Sequence, residues 1–290
     1  MPTPFLRLVL SALVLAHPAL TATPLRAETL AGTPVAATTA EDLARILQIP
    51  GIIAVMRAEG LDYGRSLEDE MFPGRGGPAW EATVALVYDE PTMLRRFQTA
   101  FATALEGDPA TTAAVAAWFD TSLGQHILTL EIEARRALMD KAVEAAAREN
   151  TARMVAADDP RMDALRDFAT ANDLIEANVQ GALNANLGFY QGMAQAGAFG
   201  GDMTEDQMLA DVWGQEPDIR TETVDWLFPF LALAYGPLSD ADLQGYTDFS
   251  RTPAGKRMNT ALFAAFDAVF VQISRDLGRA AARQMIGDDI

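Results

Sequence analysis

The chain offers few starting points for chemistry. Its histidines are His17 and His126, and it has no cysteine. On a helix the near neighbours of His126 are Leu130 and Glu133, so a zinc site of two histidines and a glutamate cannot be built. The missing cysteines exclude disulfides, thiolate chemistry, cysteine zinc sites and a lipid-modified N-terminal cysteine. With His126 alone, no Ser-His-Asp arrangement can be argued. Asp158, Asp159 and Asp163 offer oxygens that suit Ca²⁺, but they lack the spacing and glycine of a dedicated loop. An acidic cap on a helix beginning near Pro160 explains them better. The glycine-rich stretches 73–78 and 197–202 lack both phosphate-loop spacings and follow no strand, so they read as linkers. Carboxylate pairs are everywhere in so acidic a chain and discriminate nothing. The sequence therefore assigns no catalytic, cofactor-binding or metal-ligating residue.

Apolar recognition has more to work with. The most apolar segment, Trp226 to Tyr235, is too short to cross a bilayer. It reads as a buried helix bent or started at Pro229, or as one wall of a ligand or client groove. Met193, Met203, Met208, Met258 and Met285 are either adaptable groove linings or ordinary core.

The elements that position these residues are predicted to be helical throughout. Met258, Leu262, Phe266, Val269, Phe270, Ile273 and Leu277 recur at three- and four-residue steps, which marks one long amphipathic helix. Gln125 to Ala156 is the matching stretch. Ile127, Leu130, Leu138 and Met154 lie on its apolar side, and Glu131, Arg135, Asp140, Glu144 and Arg148 on its polar face. No segment sustains period-two alternation, so essentially no sheet is expected.

One punctuation pattern occurs twice. Phe249-Ser-Arg-Thr252-Pro253-Ala-Gly255-Lys256 matches Trp118-Phe-Asp-Thr121-Ser122-Leu-Gly124-Gln125. Thr252 caps a helix whose first residue is Pro253, where the missing N–H costs nothing. Gly255 lets that helix approach its predecessor closely. The predecessor opens at Ser239, paired with Asp242, and carries Leu243, Tyr246 and Phe249 on one face. In the first copy Asp108-Pro109 opens the helix, Val115 and Trp118 supply its apolar face, and Thr121 or Ser122 caps the next. Leu43 to Met71 and Leu165 to Met193 pair as amphipathic stretches interrupted by glycine. The expected fold class is all-α: two related helical units from a tandem duplication, 39–157 and 158–287, packed into one elongated or bundle-like body.

The residues Leu238 to Leu243, Tyr246, Phe249, Thr252, Pro253, Gly255 and Lys256 resemble the signature of a family of exported bacterial proteins. That family is known as an all-helical domain of unknown function, with a tyrosine-and-phenylalanine helix and a Thr-Pro-x-Gly-Lys turn. The resemblance covers residues 238–262 well and Leu165 to Met193 more weakly. The first half departs from it: Val115 stands where Tyr246 stands, and Ser122 replaces Pro253. The resemblance implies a helical fold and export, and it carries no catalytic residue.

The first 27 residues read as a signal peptide, with Arg7, an apolar run from Leu8 to Ala16 and a cut after Ala27. Residues 28–38 read as a flexible linker, and the expected location is the periplasm. The formal net charge of −18 repels nucleic acid and anionic membrane surfaces, and losing Arg7 and Arg26 would deepen it. No stable membrane insertion is expected after cleavage, and no cofactor is implied. Three functions stay open: a non-enzymatic periplasmic protein binding a protein, peptide or apolar ligand; a structural, envelope-maintenance protein acting as a homo-oligomer; and an Asp/Glu-dependent hydrolase or lyase. The last requires two convergent acids with raised pKa in a cleft.

Overall fold

Short polar side chains write the helix starts into the chain. Thr39 caps α1 (Ala40–Ile46), which leads into α2 (Ile49–Met71) and α3 (Gly77–Val87). Asp89, Asp108 and Thr121 accept from backbone amides to open α4 (Glu90–Ala104), α5 (Pro109–Phe119) and α6 (Ser122–Ala137). Asp140 opens α7 (Lys141–Ala156), and Asp159 opens α8 (Pro160–Ala171). α9 (Leu174–Gln195) is followed by α10 (Glu205–Gly214), capped by Thr204, and by α11 (Glu216–Tyr235). Ser239 caps α12 (Asp240–Ser250), and Thr252 caps α13 (Pro253–Ile286), the longest element at 34 residues. Each such cap satisfies an amide that a helix start leaves unpaired. The structure is a computed structural model that describes residues 38–200 and 203–287. Those residues are all-α and contain no strand. The expected signal peptide (1–27) lies outside the described residues, as do all of the expected linker but its last residue and the end of the second glycine-rich loop.

The order of elements recurs. In each half a short helix runs into a residue in left-handed conformation, Gln48 (φ 53) or Asp173 (φ 52), and then into a long helix. In each half that long helix lies against the one that follows the capped turn, α2 against α6 and α9 against α13. Across the halves the packing is reciprocal: α13 lies on α4, and α6 lies on α11. α7 has no counterpart; where α6 stops at Ala137, α13 runs on. One continuous core draws residues from both halves, from Leu43 to Ala282.

The two capped turns are nearly superimposable in their local geometry. Thr121 (φ −76, ψ 157) and Thr252 (φ −68, ψ 156) each accept from the glycine amide three residues on, at 3.0 Å in both. Each hydroxyl also donates back to an aromatic residue's carbonyl, Trp118 at 2.6 Å and Phe249 at 2.8 Å. A Cβ on Gly124 would lie 2.7 Å from Phe119 Cα, and one on Gly255 would run into the Phe249 carbonyl. Only glycine lets these helices leave the turn so tightly. The turns meet in the core, where Trp118 stacks on Phe249 with ring centroids 5.9 Å apart.

Four expectations are corrected. Leu43 to Met71 is two helices, because Gln48 turns left-handed and Pro50 sits in the first turn of α2, where it needs no donor. Leu165 to Met193 breaks likewise at Asp173. Gln125 to Ala156 breaks at Asp140, whose carboxylate accepts from Ala142 N and starts α7 afresh. The proline at 229 neither starts nor ends a helix; it lies inside α11, whose Leu227, Phe230, Leu231, Ala234 and Tyr235 are buried.

Candidate functional site

α9 and α13 run parallel in constant register. Asn259 on α13 donates to the Asn172 carbonyl just before α9 (2.6 Å), and further along Arg275 donates to Gln191 (2.9 Å). Around the second of those points Gly188 and Gly192 press on the backbone of α13, while Gly278 presses on that of α9. A Cβ at Gly192 or Gly278 would run into the facing carbonyl, Arg275 or Phe189 respectively. Such contact of backbones requires residues without side chains.

Beside this seam lies a groove of about 270 Å³. Ala177, Gly181 and Ala264 leave it open because their side chains are small. Phe263, Phe266 and Phe270 line it, spaced three and four apart on one face of α13. Phe266 and Phe270 are buried and Phe263 is half-buried. One ionisable group enters, Asp267. Its Oδ1 accepts from Asn184 Nδ2 at 2.9 Å, and Asn184 Oδ1 accepts from Gln180 Nε2 at 2.9 Å. Burial pushes the Asp267 carboxyl above the ordinary aspartate range, and the Asn184 hydrogen bond partly opposes that rise. No neighbouring cation contributes.

The other half treats the same place differently. Counted from Gln48 and Asp173, Glu59 on α2 holds the position of Asn184 on α9. Counted from Thr121 and Thr252, Arg135 on α6 holds the position of Phe266 on α13. Glu59 and Arg135 form a two-pronged pair at 2.8 and 2.6 Å, with Arg135 buried. That carboxylate has its cation within the chain, and Asp267 does not.

A second polar centre is closed off. Glu131 Oε1 accepts from Tyr235 Oη (2.7 Å) and Tyr246 Oη (2.5 Å), and Oε2 has no hydrogen-bond partner. Burial raises this carboxyl to about 8, against the lowering effect of the two tyrosines. In the half-to-half register Leu262 and Val115 stand where Glu131 and Tyr246 stand, both fully buried. A hollow of about 330 Å³ near Arg161 is less promising. The Arg161 guanidinium is already taken by Asp240 and by the carbonyls of Tyr235 and Leu238.

The residues singled out by the sequence build the turns and do not reach the groove. Leu243, Tyr246, Phe249, Trp118, Gly124 and Gly255 are buried, and Lys256 is exposed. Of these, Tyr246 donates its hydroxyl to Glu131. His126 is exposed, and Asp159 caps α8. Among the described residues no three His, Cys, Asp or Glu side chains are grouped to hold a metal. Met193, Met208 and Met258 are core and Met285 is exposed; with Met203, they lie away from the groove lining. Glu131 and Arg135, expected on a polar face, are buried because α11 and α12 cover Glu131 and Glu59 covers Arg135. The groove did leave a trace in the sequence: Ala177 and Gly181 one turn apart, and phenylalanines at 263, 266 and 270. No family model matches the chain, and comparison with the curated proteins and with the solved structures finds no significant match.

Proposed function

We propose that this chain is a non-enzymatic binding protein of the periplasm, holding a small apolar ligand in the groove between α9 and α13. The observation that supports this most is the hollow itself: three phenylalanines line a space of about 270 Å³ that the chain's own side chains leave empty. The volume falls just below the roughly 300–1,000 Å³ of drug-sized ligand pockets, which suits a fragment-sized molecule. Carboxylate-only hydrolysis is less well supported. The groove offers one acid, Asp267, and the other strongly perturbed acid, Glu131, is enclosed by tyrosines. Export rests on the signal pattern and on the family resemblance at 238–262.

The test uses 3-phenylpropanol as a neutral probe, titrated into the protein and followed by NMR. The expected result is saturable binding with Kd in the millimolar range, about −4 kcal/mol, as suits so small a ligand. Ala264→Trp, which fills the groove, should abolish it. Non-saturating shifts, or binding that Ala264→Trp leaves intact, would remove the reading.

A further inference from the structure

The apolar lining says that the groove takes apolar matter, and Asp267 says what else that matter must carry. Asp267 lies among Phe263, Phe266 and Phe270 with Asn184 on its Oδ1. Its Oδ2 makes no hydrogen bond or ion pair and is not sealed from solvent. That oxygen is therefore accessible and without a partner in the chain. Gln180 and Asn184 are the other polar side chains lining the site, and both are neutral. A carboxylate taken from water into an apolar setting is unfavourable without a partner. The matching helix pair meets this demand internally, with Arg135 on Glu59. At the place of Arg135, α13 has Phe266. The cation is missing and an aromatic ring stands instead, and rings attract organic cations through their faces.

We infer that the groove binds a small organic ammonium ion, its apolar body on Phe263, Phe266 and Phe270 and its N–H groups donating to Asp267 Oδ2. This rests on the binding role proposed for the groove and adds the ligand's charge. The ligand supplies what Arg135 supplies in the other half. The net charge of −18 also draws cations toward the chain, so the test must separate that general pull from a specific contact.

The experiment compares 3-phenylpropylammonium with 3-phenylpropanol on the full chain at pH 7.5 and 150 mM salt, by calorimetry and NMR. The ammonium should bind at least tenfold more tightly than the alcohol. In Asp267→Asn, which keeps an acceptor for Asn184, the ammonium should bind no more tightly than the alcohol. The preference in the native chain should also weaken as pH falls and Asp267 takes up its proton. Equal affinities on the native chain would overturn the ammonium assignment and leave apolar binding standing. A preference that survives Asp267→Asn would overturn it too, tracing the effect to overall charge. If neither probe binds, both this inference and the groove's binding role fall. A melting temperature of Asp267→Asn within a few degrees of the native chain shows that lost preference is not lost fold.

Discussion

The α2–α6 and α9–α13 pairs are the same device finished in two ways. Both run parallel, both begin after a left-handed residue, and both end in helices launched by a threonine-capped turn. In the first pair, Tyr63 and Leu67 stand where Gly188 and Gly192 stand in the second. The first pair is therefore held by side chains, with the Glu59–Arg135 salt bridge among them. The second is held backbone to backbone at its glycines, and beside that seam it leaves a hollow with an unpaired acid. The difference is that the first pair closes on its own ion pair and the second leaves a hollow beside an acid with no cation.

The sharpest way to break this comparison is to remove the acid from each pair. Glu59→Gln strands the buried guanidinium of Arg135 and should cost about 3 kcal/mol in urea denaturation. Asp267→Asn leaves no buried charge behind and should change stability by less than about 0.5 kcal/mol. Equal losses would mean that Asp267 is as structural as Glu59. Next comes Gly192→Ala, whose new methyl meets the Arg275 carbonyl; the expected loss is about 2 kcal/mol. An unchanged melting temperature would show that α9 and α13 do not touch there.

The polar centre at Glu131 sharpens the contrast with its apolar counterpart at Leu262. Folding raises this carboxyl from 4.5 to about 8, so between those values the folded chain holds a proton that the unfolded chain has released. Stability is therefore full below pH 4.5 and falls as pH rises toward about 8, with a slope of up to about 1.4 kcal/mol per pH unit. Tyr235 and Tyr246 are the titratable groups bonded to it, and Arg135, a turn along α6, is paired with Glu59. Glu131→Gln should remove that slope from urea midpoints measured between pH 5 and 8. A variant with the native slope would place its origin elsewhere. The smallest effect belongs to the turns. Thr121→Ala and Thr252→Ala should each cost about 1 kcal/mol and cost it equally, because their hydrogen bonds match.

How much of this was legible in the sequence depended on how local the signal was. The Thr121 and Thr252 turns were readable because cap, proline and glycine act within a few residues of one another. The breaks at Gln48 and Asp173 were not, since apolar spacing continues across them and neither residue is a glycine. Glu131 was placed on a solvated face because its partners, Tyr235 and Tyr246, lie more than a hundred residues away. The Trp226–Tyr235 segment and the methionines, read as buried core or as a groove wall, are largely core. An apolar segment is the first to be buried, so the open hollow formed instead where small residues on α9 face a phenylalanine stripe on α13 of which Phe263 is half-buried.

The most direct measurement is a crystal structure of the chain grown with 3-phenylpropylammonium. The ring should lie on Phe263, Phe266 and Phe270, with the nitrogen within about 3 Å of Asp267 Oδ2. An empty groove, or a ligand whose nitrogen points away from Asp267, would contradict the account.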